Sequence, residues 1–170
     1  ETPYGMVDNA LGGSAVYFSV SASYFTDVGV VAVIGLDFPD DHLNFLKSKR
    51  IDLRGLKRES GLTFHWKGRY SGDLNEAETI DTKLNVFEDF RPYIPEEYRE
   101  SSFVFLANID PELQLNVLEQ VKRPKLTICD TMNFWIEGKL EQLKEIIKRV
   151  DILIINEGEV RQLSRETNLI

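Results

Sequence analysis

Short apolar runs alternate with amphipathic segments over much of the chain. The run at residues 28–34 is continuous, rich in β-branched residues and closed by Gly35, which is typical of a strand buried on both faces. Further runs of strand length are residues 102–107, 126–129 and 151–155. Apolar residues at helical spacing follow these runs in residues 111–121, 137–149 and 157–164. Strands and helices in this order predict an α/β fold with a parallel sheet and right-handed crossovers.

Near the N-terminus, two adjacent glycines, Gly12 and Gly13, follow an extended lead-in over residues 1–11. Glycine leaves the backbone bare and free to adopt a positive φ. Ser14 then predicts an N-cap for a helix over 15–25. A helix N-terminus behind a bare turn can bind hydroxyls or anions closely. A plain glycine turn explains the dipeptide alone more simply.

Two later helices have recognisable starts. Asp40 or Asp41 is expected to cap a helix over 42–49. Asp110 and Pro111 have the order of an N-cap and a first helical residue.

The middle of the chain differs because its apolar residues are interleaved with polar ones. Three extended segments are expected, at 53–57, 62–70 and 78–87. Turns are expected at 59–61 and 71–73. Because one side of these segments is polar, residues 51–90 predict a small antiparallel flap beside a core formed by residues 1–50 and 91–170.

Small polar residues follow each predicted strand of the parallel sheet. They are Gly35 and Asp37, Asn108 and Asp110, Asp130, Thr131 and Asn133, and Asn156 and Glu159. Ligands of open α/β sheets bind beyond the carboxyl ends of the strands. These residues therefore predict a crevice suited to a polyhydroxy ligand or a hydrated cation. Loops without any ligand use the same residue types, so both interpretations stay open.

The spacing of Asn156 and Glu159 has two explanations. Asparagine followed three residues later by glutamate is the pattern of a capping box, which the spacing alone favours. The same spacing can aim a carboxylate at a magnesium-bound water. The two roles are compatible.

Charge and cysteine content narrow the classes of protein. The net charge of −8 argues against binding to nucleic acid, and no apolar run is long enough to span a bilayer. Cys129 is the one cysteine, which excludes an internal disulfide and fits a reducing cytoplasm. We expect Cys129 to be a core residue. His42 and His65 form no ligand-spaced cluster with it, which argues against a structural zinc site.

Several catalytic signatures are absent from the sequence. It contains no GxxxxGK[ST] phosphate-binding loop, no GxGxxG after a strand and no GxSxG elbow. A generic Rossmann-like nucleotide binder would need a phosphate-binding turn that the sequence lacks.

The combined motifs resemble the ribokinase/PfkB family of carbohydrate kinases. The matching segments are 11–15 (LGGSA), 31–39 (VAVIGLDFP), 50–52 (RID), 128–131 (ICDT) and 151–159 (DILIINEGE). Their order and approximate spacing follow the family along nearly the whole chain. The residues after the glycines read Val16-Tyr17-Phe18, whereas the family usually has an asparagine that helps to hold the substrate.

The resemblance implies a three-layer α/β/α domain with residues 51–90 as a β-sheet lid, which in this family can also pair two subunits. Residues implied to contact a small-molecule sugar or nucleoside are Gly12, Gly13, Asn108 and Asp130. Asn156 and Glu159 match the family's Asn-x-x-Glu element, which is associated with magnesium and phosphate. ATP and Mg²⁺ are the implied cofactors.

The resemblance also implies in-line transfer of the ATP γ-phosphoryl group to a substrate hydroxyl, with an aspartate taking the proton. The family's Gly-x-Gly-Asp segment, which supplies that aspartate, is not found in the 170 residues. We therefore expect a part of a longer kinase whose catalytic base lies beyond Ile170. The alternative is a non-catalytic binding or dimerisation module that has kept the fold.

Overall fold

The computed structural model describes residues 1–72 and 77–168. The chain forms two compact units, Glu1–Arg91 and Pro92–Ile170. The predicted turn at 71–73 ends at Asp73, which lies outside the described residues.

Among its described residues, the first unit contains two α-helices and four strands, with a 3-10 helix at Asn85–Phe87. In chain order the α-helices and strands are α1 (Ser14–Ala22), β1 (Gly29–Ile34), α2 (Asp40–Ser48), β2 (Asp52–Arg58), β3 (His65–Tyr70) and β4 (Ala77–Lys83). The strands β3 and β4 pair antiparallel, as expected for the flap. The flap prediction is wrong for β2, which pairs in parallel with β1 and places Ala32 beside Leu56. Arg54, Lys57 and Arg58 of β2 are exposed, and among the described residues no further strand pairs with it.

The chain after β2 does not form the hairpin turn predicted at 59–61. Instead it lies along the end of β1, where the carbonyl of Gly61 accepts a hydrogen bond from the Leu36 amide at 3.0 Å. A Cβ on Gly35 would lie only 2.4 Å from that same carbonyl oxygen. Gly35 is therefore required for this close approach. The run at 28–34 is also less buried than expected, because only Val33 and Ile34 are buried.

The two helices of the first unit begin differently from the prediction. The N-cap of α1 is Gly13, so Ser14 is the first helical residue and not the cap. The N-cap of α2 is Pro39, and Asp40 and Asp41 both lie in the first turn. Neither helix has a capping side chain. Helix α1 ends at Ala22, before the expected 25, because the chain must turn to enter β1.

The second unit has a three-stranded sheet with helices after its strands. Its elements are β5 (Phe103–Leu106), α3 (Pro111–Gln120), β6 (Leu126–Asp130), α4 (Asn133–Gly138), α5 (Leu140–Ile147), β7 (Ile152–Ile154) and α6 (Glu157–Ser164). The strands are parallel, as predicted, and the structure places them in the order β5-β6-β7. Asp110 caps α3 and Pro111 is its first residue, also as predicted.

The core of the second unit packs between one face of this sheet and the helices. Leu106, Cys129, Ile136, Leu143 and Ile146 form its buried cluster. The single helix predicted at 137–149 is wrong, because Lys139 has φ −140° and separates α4 from α5. The Lys139 ammonium group bonds Asp110 Oδ2 at 2.7 Å, which fixes this break against the start of α3.

Candidate functional site

The backbone at Gly12 and Gly13, just before α1 in the first unit, is open to solvent. Gly13 has φ 89°, a left-handed conformation that side chains rarely adopt, and its carbonyl accepts from the amides of Val16 and Tyr17 at 3.1 Å. Gly12 has no such strain, and a Cβ there would meet only the Tyr17 hydroxyl at 3.5 Å. Both glycines are exposed. The positive φ of Gly13 thus explains why a glycine is present there. At Gly12, neither the backbone conformation nor a close contact in the described chain requires a glycine.

The other predicted site residues all belong to the second unit. Asn108 follows β5, Asp130 ends the central strand β6, and Asn156 follows β7 and precedes Glu159. Since the three strands are parallel, these residues share the carboxyl edge of one sheet.

Asn108 is held in a defined orientation. Its Oδ1 accepts a hydrogen bond of 2.9 Å from the indole Nε1 of Trp135, a residue of α4 that is only 9% exposed. The contact joins residues far apart in the sequence. It fixes which end of the Asn108 amide carries the oxygen.

The capping box at the start of α6 is confirmed. Asn156 Oδ1 accepts from the amide of Glu159 at 2.9 Å, and Glu159 Oε2 accepts from the amide of Asn156 at 3.0 Å. Burial raises the pKa of the Glu159 carboxyl, and the nearby charge of Asp130 raises it further. The fold therefore brings two carboxylates from adjacent strand ends into each other's field.

Three further strand-end residues are Asp37, Thr131 and Asn133. Asp37 accepts from the amide and the hydroxyl of Thr63, both at 2.7 Å, and the hydroxyl bond is the main reason that the pKa of Asp37 is lowered. Thr131 is buried. Asn133 starts α4, and its Oδ1 accepts from the following amide.

Cys129 is a core residue, as predicted. It is fully buried, and burial raises its pKa to about 12, with the charge of Asp130 adding to the effect. A thiol in this state is not a nucleophile at neutral pH.

Two residues that hold the strand ends were not identified from the sequence. Gln114 of α3 donates from Nε2 to the carbonyls of Ala107 and Asp130, both at 2.9 Å. Trp135 donates to Asn108, as described above. The sequence signal for Gln114 is a polar residue beside the apolar stripe of an amphipathic helix, which by itself does not reveal its partners.

A metal site built entirely from protein ligands is not present in the described residues, where no group of three or more His, Cys, Asp or Glu residues could hold an ion. Within the same residues, no helix is long and apolar enough to cross a membrane.

Comparison with known proteins identifies a curated relative of this chain. The chain is 30% identical over 156 residues to the cytidine kinase of Thermococcus kodakarensis, a match that covers 90% of this chain and 55% of that protein. It thus spans about half the length of this curated relative. No family model matches the chain.

The fold is shared with solved kinases of low sequence identity. The nucleoside kinase of Methanocaldococcus jannaschii, a member of the ribokinase family, matches with a TM-score of 0.68 and 19% identity over 95% of this chain and 57% of its own. The ribokinase of Cryptococcus neoformans, solved with ADP, matches with a TM-score of 0.71 and 18% identity, over 95% of this chain and 51% of its own. An uncharacterised sugar kinase of Pyrococcus horikoshii, solved with ATP, matches with a TM-score of 0.67 and 19% identity, over 96% of this chain and 62% of its own. The ribokinase-like α/β fold is therefore confirmed.

Proposed function

We propose that the complete protein is an ATP-dependent kinase of the ribokinase type that phosphorylates a hydroxyl group of a nucleoside or sugar. The observation that carries this proposal is the 30% identity with a cytidine kinase over 90% of the chain. That relative makes cytidine the first acceptor to test. Because the chain spans 55% of the relative, we expect the 170 residues alone to be inactive.

The acceptor contacts of this proposal are two residues in each unit. The bare backbone of Gly12 and Gly13 would lie against substrate hydroxyls, since no Cβ blocks their approach. Asn108 and Asp130 would supply hydrogen bonds at the carboxyl ends of β5 and β6. The indole of Trp135 supports the role of Asn108, because it holds that amide in one orientation.

The phosphate side would be formed by Asn156 and Glu159. Mg²⁺ commonly uses one or two carboxylates together with waters and substrate phosphates. The Glu159 carboxylate, in the field of Asp130, fits that donor set. Burial and the charge of Asp130 raise the pKa of Glu159, and a nearby cation would favour its ionised form. When bound, Mg²⁺ neutralises charge on the ATP phosphates. Within the chain itself, the capping box holds Glu159 in place.

The remaining parts of the proposal concern the lid and its surroundings. In this proposal the antiparallel pair β3 and β4 acts as a lid that excludes water, which otherwise competes for the phosphoryl group. The same lid can pair two copies of the protein, and the enzyme would work in the cytoplasm. In the structure, the indole of Trp66 packs edge-on against Tyr70 of the same strand, with ring centres 6.3 Å apart.

The test is a phosphorylation assay of the full-length protein with ATP, Mg²⁺ and a panel of cytidine, adenosine, ribose and fructose. We expect at least one acceptor to be turned over. Glu159→Gln should lower the rate roughly 10- to 100-fold. The matched control is Glu157→Gln, which removes a carboxylate of the same helix turn that pairs with Arg161 at the surface. Turnover of none of the acceptors would contradict the proposal.

The Gly12 position allows a second test on the same protein. An alanine Cβ there meets no atom closer than 3.5 Å, so Gly12→Ala should leave stability nearly unchanged. If the acceptor lies against this backbone, the variant should weaken acceptor binding about tenfold or more. Unchanged affinity in calorimetry would return Gly12 to the status of a plain turn residue.

A further inference from the structure

Gln114 is an unusual residue for the inner side of a helix. It is 1% exposed and lies among apolar residues of the second unit. Its Nε2 is within 2.9 Å of the carbonyl oxygens of both Ala107 and Asp130. A carbonyl oxygen can only accept, so the amide nitrogen must face these two groups. The amide oxygen then faces the Cys129 thiol, which lies 3.6 Å away.

The position of this amide in the sheet is informative. The pairing of β5 with β6 ends at Leu106 and Cys129. The next residue on each strand, Ala107 and Asp130, is the one whose carbonyl accepts from Gln114. The side-chain amide therefore bridges the two strands at the point where their own pairing stops. A buried carbonyl left without a donor is costly, so this bridge is strongly favoured.

The two bridged peptide groups carry predicted acceptor contacts. The Ala107 carbonyl belongs to the peptide that leads into Asn108, and the other carbonyl is that of Asp130 itself. A rotation of either peptide plane would turn the neighbouring side chain. From this geometry we propose that Gln114 is a positioning residue, which sets the separation and direction of Asn108 and Asp130 for the phosphoryl acceptor. The inference rests on the proposed kinase function.

The chain offers a matched control for Gln114. Gln120 lies on the same helix and also bonds the backbone, with its Nε2 donating to the Pro92 carbonyl at 2.8 Å and its Oε1 accepting from the Ile94 amide at 3.0 Å. It touches neither strand end. Methionine has a similar length and no amide, so Gln114→Met and Gln120→Met remove the same kind of interaction at two places.

The experiment compares steady-state kinetics of the full-length variants, using whichever of cytidine, adenosine, ribose and fructose the wild-type enzyme phosphorylates fastest. We expect Gln114→Met to raise the acceptor KM about tenfold or more while the ATP KM stays within about twofold. Gln120→Met should leave both KM values within about twofold. Equal effects of the two variants on the acceptor KM, or none from Gln114→Met, would overturn the inference.

A double-mutant cycle separates positioning from general destabilisation. Because Gln114 is inferred to act partly through Asn108, Gln114→Met should raise the acceptor KM by a smaller factor in the Asn108→Ala background than in wild type. Full additivity of the two changes would contradict the inference.

Gln114→Glu keeps the inference testable if the methionine variant does not fold. A protonated glutamic acid can still donate one hydrogen bond to a carbonyl, whereas the carboxylate cannot. Because position 114 is buried, the pKa of the introduced carboxyl should be raised, so that lowering the pH from 8 to 6 increases its protonated fraction. Acceptor binding by Gln114→Glu, measured by calorimetry, should therefore tighten severalfold between pH 8 and pH 6 relative to wild type. No relative change would count against the inference. A wild-type enzyme that phosphorylates no acceptor would instead refute the proposed function, which makes the two failures distinguishable.

Discussion

Glu159 combines a structural bond with an unfavourable electrostatic position. Its side chain accepts from the Asn156 amide and closes the capping box of α6. Burial and the charge of Asp130 both raise its pKa, so the ionised form is less stable in the folded chain than in water. Helix capping does not require this charge, because a neutral side chain can also close the capping box, whereas the proposed cation site would use it.

Glu159→Gln should separate these two contributions. Glutamine can still accept from the Asn156 amide, so the cap is retained. In wild type, the raised pKa means that the folded state binds the Glu159 proton more tightly than the unfolded state does. Folding stability due to this group is therefore present below the unfolded pKa and is lost as the pH rises through the folded pKa. We expect the free energy of unfolding of the variant to increase relative to wild type as the pH rises from 4 to 7.

Urea unfolding at several pH values measures this difference. Asp130→Asn is the control, since removing the neighbouring charge should reduce the pH dependence that Glu159 contributes. A difference between wild type and Glu159→Gln that does not change with pH would show that the carboxyl is not perturbed.

Sequence spacing predicted the Asn156–Glu159 contact because both bonds lie within one helical turn. It did not predict Gln114 or Trp135, whose partners depend on how strands and helices come together. Gln114 reaches Asp130 and Trp135 reaches Asn108 across the fold. Local patterns thus identify residues at strand ends but not the residues that hold them there.

At the scale of elements, the start of α3 connects two parts of the second unit. Asp110 Oδ1 accepts from the Glu112 amide at 3.0 Å and so caps the helix. Asp110 Oδ2 bonds the Lys139 ammonium group at 2.7 Å, at the break between α4 and α5. The cap was predicted from the Asp-Pro pair, whereas the ion pair requires the tertiary structure.

Substitutions of Asp110 should distinguish the cap from the ion pair. Asp110→Ala removes both, and we expect a loss of about 1–2 kcal/mol in the free energy of unfolding, most of it from the cap. Asp110→Asn keeps a good capping group and loses only the charge, so it should cost less than about 1 kcal/mol. Denaturant unfolding of the two variants measures the difference. If they are equally destabilised, the ion pair and not the cap is the main contribution.

Two elements, β2 and the segment 137–149, show where the sequence pattern led to a wrong prediction. The charged residues of β2 suggested a surface flap, but a parallel strand with no further neighbour in the described chain exposes charges as well. Likewise, the apolar spacing at 137–149 indicates one helix. The backbone leaves the helical region at the single residue Lys139, and a break of one residue does not change the spacing. Both errors concern tertiary context and not local preference.

At the largest scale, each face of the parallel sheet in the second unit has a different environment. Parallel register places Leu106, Cys129 and Leu153 on the face that packs against helices. The opposite face carries Phe103, Ile152 and Ile154, which are 68%, 43% and 50% exposed. The sequence predicted buried strands because their runs are apolar throughout, a composition that is typical of sheets covered on both faces.

This exposed face predicts how the 170-residue chain behaves by itself. Contiguous apolar surface binds the dye ANS, so the isolated chain should enhance ANS fluorescence while it retains its secondary structure. Replacing Phe103 and Ile152 together by threonine should reduce the enhancement severalfold, because threonine keeps strand preference and removes apolar area. Circular dichroism shows whether the fold is retained.

Val104→Thr is the matched control for that experiment. Val104 packs against the helix-covered core, so a hydroxyl there should lower the free energy of unfolding by about 1–2 kcal/mol without reducing ANS binding. If the Phe103 and Ile152 substitutions leave the fluorescence unchanged, the dye binds elsewhere, and the apolar composition of β5 and β7 does not produce an accessible surface in solution. If ANS fluorescence falls only for those two substitutions, the face of the sheet that carries Phe103 and Ile152 is accessible in the isolated chain. The apolar composition of these strands, which suits a sheet covered on both faces, would then leave that face open to the dye.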